Sequence, residues 1–456
     1  MLNFEEPPQS MKHHVVVIGG GFAGAAAASA LAEEGVSVTL LEKRPFLGGR
    51  ATSLKDGVTK EEVDNGPHLF MGCYRETRRF LRRLKVESRL RFMDRLEIPF
   101  LSSRGRSVLS ARKWPLSLGL GWGLLRFKAL SFRDRRSAAS GMARLRFSRR
   151  KYGSDQTVSQ RLAALRQTPG ALKGFWTPLC LAALNADPDR ASAAALDAVF
   201  DEGLFAGSEE RALGWSRVAL GKLWPVDLPG YLKSRGGVIS TEQTVAGFEL
   251  AGGRVARVKL EGGGSGDADA VVCAVPPPEF LALCPEVLKS RYAALEKTEF
   301  SPIVSVHLWF DRPVFDGPFA ALLDTDFHWL FNRSVLWERQ EGEGGRLSVM
   351  ASDARALAGR PSEEVIARAV SDLKKVLPGL PDPRHACLMT EPRATPTPSP
   401  EFWRSRSPGA TDVENLFLAG DWVESGLPPT IEAACRSGHA AAAAAKKYLD
   451  GIRAPC

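Results

Sequence analysis

The sequence has 456 residues, of which 44% are hydrophobic and 25% charged, so it can form two or three domains and is not a mainly disordered chain. The formal net charge is +9, but residues 71–150 hold 22 Lys and Arg against 5 Asp and Glu, which leaves the rest of the chain net acidic. This asymmetry indicates either an anionic partner or a solvated basic face. Nucleic acid is disfavoured as that partner, because no aromatic-interleaved nucleic-acid-binding motif appears.

The first predicted elements form one βαβ unit. The β-branched run His14–Ile18 predicts a buried parallel strand that stops at three glycines. An Ala-rich helix is predicted from Phe22 to Glu34 and is ended by Gly35, and Val36–Leu41 predicts a second strand.

The middle of the chain divides into a helix-prone part and a strand-rich part. Residues 71–150 are predicted to be helical, without a clean strand pattern, and residues 157–235 also read as helix punctuated by proline. From residue 236 onward strands dominate. The later predicted elements are strands at 238–239, 248–250, 254–260, 270–275, 304–310, 347–351 and 415–419, and helices at 361–377 and 431–449.

The turn after the first strand carries a dinucleotide-binding motif. Gly19, Gly21 and Gly24 fit G-x-G-x-x-G, in which the glycines permit a tight turn, close approach of the pyrophosphate and close helix–strand packing. The amino terminus of the following helix, at Phe22, presents N–H groups and a positive dipole end to the phosphates. Glu42 ends the second strand and is placed to accept hydrogen bonds from a ribose diol, which disfavours NADP.

The segment after this unit favours FAD over NAD. Residues Arg44–Ser53 resemble the R-x-x-x-G-G-R-x-x-[ST] segment of the amine oxidase and phytoene desaturase superfamily of flavoproteins. The resemblance implies that Gly48 and Gly49 pass close to the cofactor and that Arg50 faces its phosphates.

The end of the chain resembles the terminal FAD segment of the same superfamily. A strand runs into Gly420-Asp421, and the resemblance implies that Asp421 hydrogen-bonds a ribityl hydroxyl. The last helix begins at Thr430 and Ile431, and its amino terminus would point at the flavin or the ribityl chain. Val245 matches the position whose backbone meets the adenine.

Three stretches resemble one branch of this superfamily, the hydroxysqualene dehydroxylases. They are residues 63–74, 175–185 and 420–430, and the resemblance covers most of the chain. One departure is Pro67, which stands where that branch is expected to have Gln and which removes a backbone donor.

The resemblance implies a reduction. Hydroxysqualene would lose its allylic hydroxyl, and the reduced flavin would deliver a hydride to the resulting cation, giving squalene, a precursor of hopanoids and other isoprenoids. Such a site needs a dry apolar channel and a proton donor for the departing water. His68 is the candidate donor, since its ordinary pKa is near neutrality and it follows Gly66 beside the flavin; alternatively, it only bonds the flavin or the backbone. Trp176 and Asn185 are placed near the substrate by resemblance, or are a core and a cap residue.

These observations predict an α/β fold, with a Rossmann-like FAD-binding domain of glutathione-reductase type, an inserted α+β substrate domain and a helical part able to contact a membrane. The FAD-binding domain is assigned residues 1–75, 236–285 and 401–456; the helical region 76–235; and the substrate-domain sheet 286–400. The predicted cofactor-binding residues are Gly19, Gly21, Phe22, Ala23, Gly24, Glu42, Lys43, Gly48, Gly49, Arg50, Gly66, Pro67, His68, Val245, Gly420, Asp421, Thr430 and Ile431.

The location is predicted to be cytoplasmic, at the inner face of the cell membrane. The seven cysteines are scattered without a CxxC pair, which predicts reduced thiols and neither disulfides nor a metal site, and residues 1–14 lack the apolar core of a signal peptide. A hydrophobic isoprenoid resides in the bilayer, and Trp114, Trp122 and Phe127 among arginines suit an interfacial element on anionic lipid. The same stretch could instead be the core side of a substrate-domain helix.

Three rival functions fit parts of the pattern. A carotenoid desaturase shares the fold and transfers hydride in the opposite direction. An amine oxidase is disfavoured, because the terminal segment has no Tyr for an aromatic cage and no Cys for covalent flavin. A non-catalytic lipid escort on the same fold would differ in not being yellow. The sequence shows no second dinucleotide motif, so it does not identify the electron donor.

Overall fold

The computed structural model describes residues 13–111, 118–148, 155–207, 209–338 and 344–452. The strands within these ranges are β1 His14–Ile18, β2 Ser37–Leu41, β3 Ser53–Lys55, β4 Glu62–Asp64, β5 Leu69–Met71, β6 Leu90–Phe92, β7 Glu97–Ser102, β8 Gly105–Ser110, β9 Leu213–Ser216, β10 Val238–Ser240, β11 Val245–Ala251, β12 Arg254–Leu260, β13 Ser265–Asp267, β14 Ala270–Cys273, β15 Phe300–Phe310, β16 Phe319–Leu322, β17 Trp329–Asn332, β18 Gly345–Ala351, β19 His385–Pro396 and β20 Leu416–Leu418. The α-helices are α1 Phe22–Glu33, α2 Arg75–Arg83, α3 Leu118–Arg126, α4 Phe132–Ser148, α5 Val158–Ala164, α6 Pro169–Ala171, α7 Thr177–Leu184, α8 Ala193–Val199, α9 Leu228–Lys233, α10 Pro277–Leu283, α11 Glu286–Tyr292, α12 Arg333–Leu336, α13 Ser362–Val376, α14 Pro400–Ser405 and α15 Ile431–Ile452.

A five-stranded parallel sheet joins strands from both ends of the chain. Its order is β10-β2-β1-β14-β20, which is the 3-2-1-4-5 order of a dinucleotide-binding fold. The central strand β1 pairs in parallel with β2 and β14, and β14 pairs with β20 near the carboxyl end of the chain. This order places the turn after β1 at the carboxyl edge of the sheet, where such folds bind ligands.

Burial on both faces explains why these strands are continuous apolar runs. Along β1, Val15 and Val17 belong to the core shared with α1 and α15, whereas Val16 and Ile18 belong to a second core shared with the β11–β12–β13 sheet. Parallel strands covered on both sides have this composition because alternate side chains enter different cores.

A second, seven-stranded sheet has the order β19-β15-β18-β17-β16-β7-β8. Its pairings are antiparallel except that of β16 with β7. One hydrophobic core packs the sheet against α13, and another packs it against the helical region that includes α3, α4, α7 and α8. The inserted part is therefore a sheet covered by helices, and the fold is mixed α/β.

The prediction that residues 71–150 lack strands is wrong. Strands β7 and β8 form an antiparallel hairpin turned at Gly105, and β7 pairs with β16 at the edge of the seven-stranded sheet. The hairpin forms because Ile98, Phe100 and Leu109 bury their side chains against the helical region. Residues 76–235 are consequently not purely helical, since β6 and β9 also lie there.

The interfacial assignment of Phe127 is also wrong. Its ring is fully buried and packs against Phe100, with ring centroids 4.8 Å apart. Trp114, which shared that assignment, lies outside the described residues, whereas Trp122 is 38% exposed. In the described parts of the chain, no helix combines the length and apolar character needed to span a bilayer.

Candidate active site

A cavity of about 950 Å³ is lined by residues from both sheets. Its volume lies at the upper end for ligand sites. What we call the nucleotide arm is lined by residues 18–23, 41–44, 48–51, 243–245, 420–422 and 427–432, and the substrate arm by residues 96, 98, 100, 109, 175, 177–179, 181–185, 321–326, 328, 329, 331, 350 and 352. Residues 66–69 also line the cavity.

Two glycines fix the turn that leads from β1 into α1. Gly19 has φ +104°, a conformation that side chains disfavour, and a Cβ there would meet the carbonyl oxygen of Ala274 at 2.7 Å. A Cβ on Gly24 would lie 1.9 Å from the carbonyl oxygen of Gly19. Gly24 does not line the cavity; it permits the close packing of helix on strand that the motif requires.

The amino terminus of α1 is open toward the nucleotide arm. Its N-cap, Gly21, supplies no side-chain hydrogen bond, and the first helical residues, Phe22 and Ala23, line the cavity. Uncapped N–H groups at the positive end of a helix dipole suit the pyrophosphate of a dinucleotide.

A buried carboxylate lies beside this helix terminus. Glu42 is 7% exposed, and its Oε2 and Oε1 accept hydrogen bonds from the backbone N–H groups of Gly20 at 2.7 Å and Arg44 at 2.8 Å. These two bonds orient the carboxylate, which retains acceptor capacity for the hydroxyls of a ribose. The helix terminus and Glu42 together fit the adenosine and diphosphate portion of FAD.

Arg50 and Asp421 form an ion pair that links the two ends of the chain. Arg50 Nη2 lies 2.7 Å from Asp421 Oδ1, and Nη1 donates to the carbonyl oxygen of Ala394 at 2.9 Å. Burial alone would lower the pKa of Arg50, but the charge of Asp421 and the hydrogen bond to it outweigh burial and raise this pKa. The sequence assigned these residues separately to phosphate and ribityl contacts; the structure places them in direct contact on the cavity wall.

His68 lies on the cavity wall, and one of its ring nitrogens already makes a hydrogen bond. Its Nδ1 lies 2.6 Å from the carbonyl oxygen of Gly66, so Nδ1 must carry the proton and Nε2 is an acceptor. Burial, the largest effect, lowers the pKa of His68 below 6.5, and the charge of Arg50 lowers it further. The ring is therefore mainly neutral at neutral pH.

The structure brings most of the predicted cofactor residues onto one surface. Apart from Gly24, those that line the cavity are Gly19, Gly21, Phe22, Ala23, Glu42, Lys43, Gly48, Gly49, Arg50, Gly66, Pro67, His68, Val245, Gly420, Asp421, Thr430 and Ile431. They come from segments separated by more than 150 residues, so their convergence follows from the parallel sheet. Their individual contacts to FAD remain predictions.

Of the two residues predicted near the substrate, only Asn185 lines the cavity. It ends α7 in a left-handed conformation with φ +48°, and its side chain bonds Ser301, Thr395 and Asp353. Asn185 thus fixes the wall as a helix cap.

The assignment of Trp176 to the substrate is corrected by its position. Its side chain is buried in the core beside Phe175 and Phe200, and its Nε1 donates to Gln167 at 2.7 Å. Its neighbours Phe175 and Thr177 line the cavity, whereas the indole is held in the core by the bond to Gln167 and by its aromatic contacts.

The walls of the substrate arm are mainly apolar and include residues that the sequence analysis missed. Ile98, Phe100 and Leu109 come from the β7–β8 hairpin, and His328 comes from the segment before β17. The alternation of apolar residues around Gly105 was a hairpin signal. No local signal marks His328, because its place in the cavity depends on the pairing of β17 with β18.

The thiol and the phenol that line the cavity are not activated. Burial is the main cause that raises the pKa of Cys73 to about 12, and it also raises the pKa of Tyr74. Neither group is a ready nucleophile at neutral pH.

Comparison with known proteins agrees with this geometry. The family model described as "Flavin containing amine oxidoreductase" matches residues 22–446. A hydroxysqualene dehydroxylase from Sinorhizobium fredii is 30% identical over 427 residues, which cover 90% of this chain and 93% of that protein. A 15-cis-phytoene desaturase from Synechococcus elongatus is 23% identical, with 90% of each chain covered.

The fold is shared with solved structures at lower identity. The crystal structure of an oxidoreductase from Methanosarcina mazei superposes with a TM-score of 0.73 at 17% identity, covering 94% of this chain and 99% of that chain. The shared fold, the matched family and the two-armed cavity lead to one conclusion. This chain belongs to the flavin-containing amine oxidoreductase family, and it is a FAD-dependent oxidoreductase related to the hydroxysqualene dehydroxylases.

Proposed function

We propose that this protein replaces the allylic hydroxyl of hydroxysqualene with hydrogen, giving squalene and water. The observation that carries the proposal is that one cavity joins the nucleotide arm to a mainly apolar substrate arm. The similarity to hydroxysqualene dehydroxylases supports the same substrate. FAD in its reduced form supplies a hydride.

The chain contributes a dry environment for this chemistry. Loss of the hydroxyl breaks the C–O bond, consumes one proton and leaves an allylic cation, which water would capture if it were present. Apolar walls such as Leu96, Phe100 and Trp329 exclude water from the substrate arm. The hydride then forms the new C–H bond.

His68 is our proposed source of the proton. To act as an acid it must first take up a second proton at Nε2, which burial and Arg50 oppose. An acid role therefore predicts turnover that falls as pH rises, with a midpoint below the ordinary histidine pKa. If the turnover rate of wild type does not change with pH, and His68→Gln keeps that rate, then His68 does not donate the proton and acts only through hydrogen bonds.

Product analysis in cells tests the proposed reaction. The chain should be co-expressed with the enzymes that make hydroxysqualene, and squalene should accumulate only when the chain is present. A Gly24→Val variant, which we expect not to bind FAD, provides the matched negative control. Unchanged hydroxysqualene with soluble, yellow protein would contradict the proposal.

Desaturation of a carotenoid precursor is the second candidate, because phytoene desaturases are also similar along most of the chain. It requires oxidised FAD and a substrate without a hydroxyl. Adding phytoene anaerobically to the oxidised protein should leave the flavin absorbance unchanged if our proposal holds, and should bleach it if desaturation is the reaction.

We also propose that the protein acts at the inner face of the cell membrane through a surface that we call the basic apolar face. It comprises the exposed apolar residues Val108, Trp122, Leu125 and Phe132, which are 37%, 38%, 41% and 70% exposed, and the exposed basic residues Arg104, Arg106, Arg126, Lys128, Arg133 and Arg136. Arg126 lies over the ring of Trp122 and Arg136 over that of Phe132. Basic side chains packed over exposed aromatic rings suit the headgroup region of anionic lipids.

The loop that joins α3 to α4, the helices of the basic apolar face, packs beside the substrate arm. Leu130 lies in the loop between α3 and α4, and its Cδ2 would be 2.6 Å from a Cβ on Gly174. Gly174 is in the turn whose neighbours Lys173 and Phe175 line the cavity. An isoprenoid in the membrane would thus reach the protein surface close to the substrate arm.

Vesicle sedimentation tests this surface. We expect the FAD-loaded protein to bind phosphatidylglycerol vesicles and to bind phosphatidylcholine vesicles much less. A Trp122→Ser and Phe132→Ser double variant should lose most binding, whereas Val226→Ser, which changes an exposed valine elsewhere, should not. Equal binding of the double variant and wild type would contradict the proposal.

A further inference from the structure

His328 presents an imidazole in the substrate arm from a backbone that is held on both sides. Its N–H donates to the carbonyl oxygen of Met350 at 2.9 Å, and its carbonyl oxygen accepts from the N–H of Leu322 at 2.8 Å. The residue is thereby bonded to β18 on one side and to β16 on the other, the two strands that flank β17 in the seven-stranded sheet. A side chain anchored in this way is preorganised for contact with a ligand.

The ring has a defined tautomer. The backbone N–H of Ser352 donates to Nδ1 of His328 at 3.0 Å, so Nδ1 is unprotonated and Nε2 carries the hydrogen in the neutral ring. Burial lowers the pKa of His328 to about 4, despite the nearby carboxylates of Asp326, Asp353 and Asp372. At neutral pH, His328 is therefore a neutral N–H donor.

The Nε2–H donor of His328 has no acceptor among the residues that the structure describes, where the one hydrogen bond of the ring is the one that Nδ1 accepts from Ser352. The neighbouring wall combines apolar groups such as Leu323, Trp329 and Met350 with the polar residues Asp324, Thr325 and Asp326, none of which accepts a hydrogen bond from this ring. A donor in such surroundings gains from a ligand that brings an acceptor, and is left unsatisfied by a plain hydrocarbon.

His328 and His68 have opposite tautomers in one cavity. His68 uses Nδ1–H on the carbonyl oxygen of Gly66 and is left with an acceptor at Nε2, whereas His328 accepts at Nδ1 and is left with a donor. Of these two histidines, His328 is the one that offers an N–H donor without first binding another proton.

We propose that Nε2–H of His328 donates a hydrogen bond to the hydroxyl oxygen of the substrate and so selects hydroxylated over plain isoprenoid chains. This inference rests on the proposed function, because it needs a substrate with one oxygen on a long hydrocarbon. The hydrogen bond also polarises the C–O bond that breaks. Because squalene has no acceptor for this bond, it should dissociate more readily than hydroxysqualene. His328 is a specificity-determining residue in this account.

Binding to the oxidised protein tests the selection without turnover, since oxidised FAD carries no hydride. The FAD-loaded protein is titrated with hydroxysqualene and with squalene, and the dissociation constants are read from the perturbed flavin absorbance. We expect wild type to favour hydroxysqualene by about tenfold to a hundredfold, the range of one buried hydrogen bond left unmade. His328→Phe, which keeps a ring but removes the donor, should abolish that preference, and His328→Gln, which keeps an N–H, should restore part of it.

The outcomes separate this inference from the proposed function. If wild type and His328→Phe show the same preference, or if wild type shows none, the role of His328 is wrong even when the enzyme makes squalene. If wild type prefers hydroxysqualene through His328 but the reduced protein does not convert it, the recognition stands and the proposed reaction fails. FAD content equal to wild type verifies that each variant is folded.

Discussion

The two arms of the cavity are built by different means. The nucleotide arm relies on backbone groups, a helix terminus and a few charged side chains, and its main turn lies within residues 18–24. The substrate arm relies on the shapes of apolar side chains from the β7–β8 hairpin, α7 and the segments around β16–β18. Short sequence motifs therefore determine most of the cofactor site, whereas the substrate site depends on how distant segments pack.

The largest expected effect is the loss of FAD binding when a substitution distorts the nucleotide arm. In Gly24→Val, the new Cβ would overlap the carbonyl oxygen of Gly19, so α1 must shift away from β1. We expect purified protein with essentially no flavin absorbance and a lowered melting temperature. Gly57→Val is the control, because a Cβ at Gly57 meets nothing within 4 Å. Full FAD content in Gly24→Val would refute this account of the turn.

A smaller loss of FAD binding is expected when the nucleotide arm keeps its shape but loses a negative charge. Glu42→Gln removes a carboxylate that accepts two backbone hydrogen bonds and is placed for the ribose. We expect the dissociation constant for FAD to rise by about tenfold to a hundredfold, as for a hydrogen bond to a charged group. Flavin fluorescence titration measures it, with the exposed Glu34→Gln as control. An unchanged constant would exclude Glu42 from cofactor binding.

Filling the substrate arm should separate the two arms functionally. Ala183 lines that arm on α7, and in Ala183→Phe the ring would occupy substrate volume. We expect FAD content to stay at the wild-type level while kcat/KM for hydroxysqualene falls about tenfold or more. Ala356→Phe, at an exposed position, should leave both unchanged. Loss of FAD in Ala183→Phe would mean that the arms are not independent.

The smallest effect concerns stability in acid. Because the pKa of His328 is about 4 in the folded protein against 6.5 in an unfolded chain, the unfolded state binds more protons between these values. The free energy of unfolding should therefore fall as pH falls from 6.5 toward 4. At pH 5, burial of His328 should lower it by about 1–2 kcal/mol relative to neutral pH. The fall in melting temperature between pH 7 and pH 5 should be smaller in His328→Gln than in wild type. An equal fall in both would contradict the burial of this ring.

The same contrast explains how much the sequence could predict. The strand His14–Ile18 was predicted with its observed bounds, and a dinucleotide site followed from Gly19 and Glu42, because these features depend on neighbours in sequence. The choice of FAD came from the resemblance of residues 44–53 and of the terminal segment to a flavoprotein superfamily, which the matched family confirms. The contact between Arg50 and Asp421 was not predicted, since it exists only after the parallel sheet joins the two ends of the chain.

The errors lie in the inserted part. Phe127 sits among arginines and reads as an interfacial residue, but the β7–β8 hairpin supplies Phe100 as a buried partner for its ring. Trp176 belongs to a segment that resembles a substrate site, yet its indole faces the core and bonds Gln167. In both cases the direction of a side chain was decided by tertiary packing, which a pattern of residue types does not contain.

An anaerobic single-turnover experiment tests the central claim most directly. The protein is loaded with FAD, reduced with dithionite, freed of excess reductant and mixed with hydroxysqualene while the flavin absorbance is followed. We predict that one equivalent of flavin becomes oxidised for each squalene formed. Flavin that stays reduced in the presence of bound hydroxysqualene, with no squalene produced, would contradict the account.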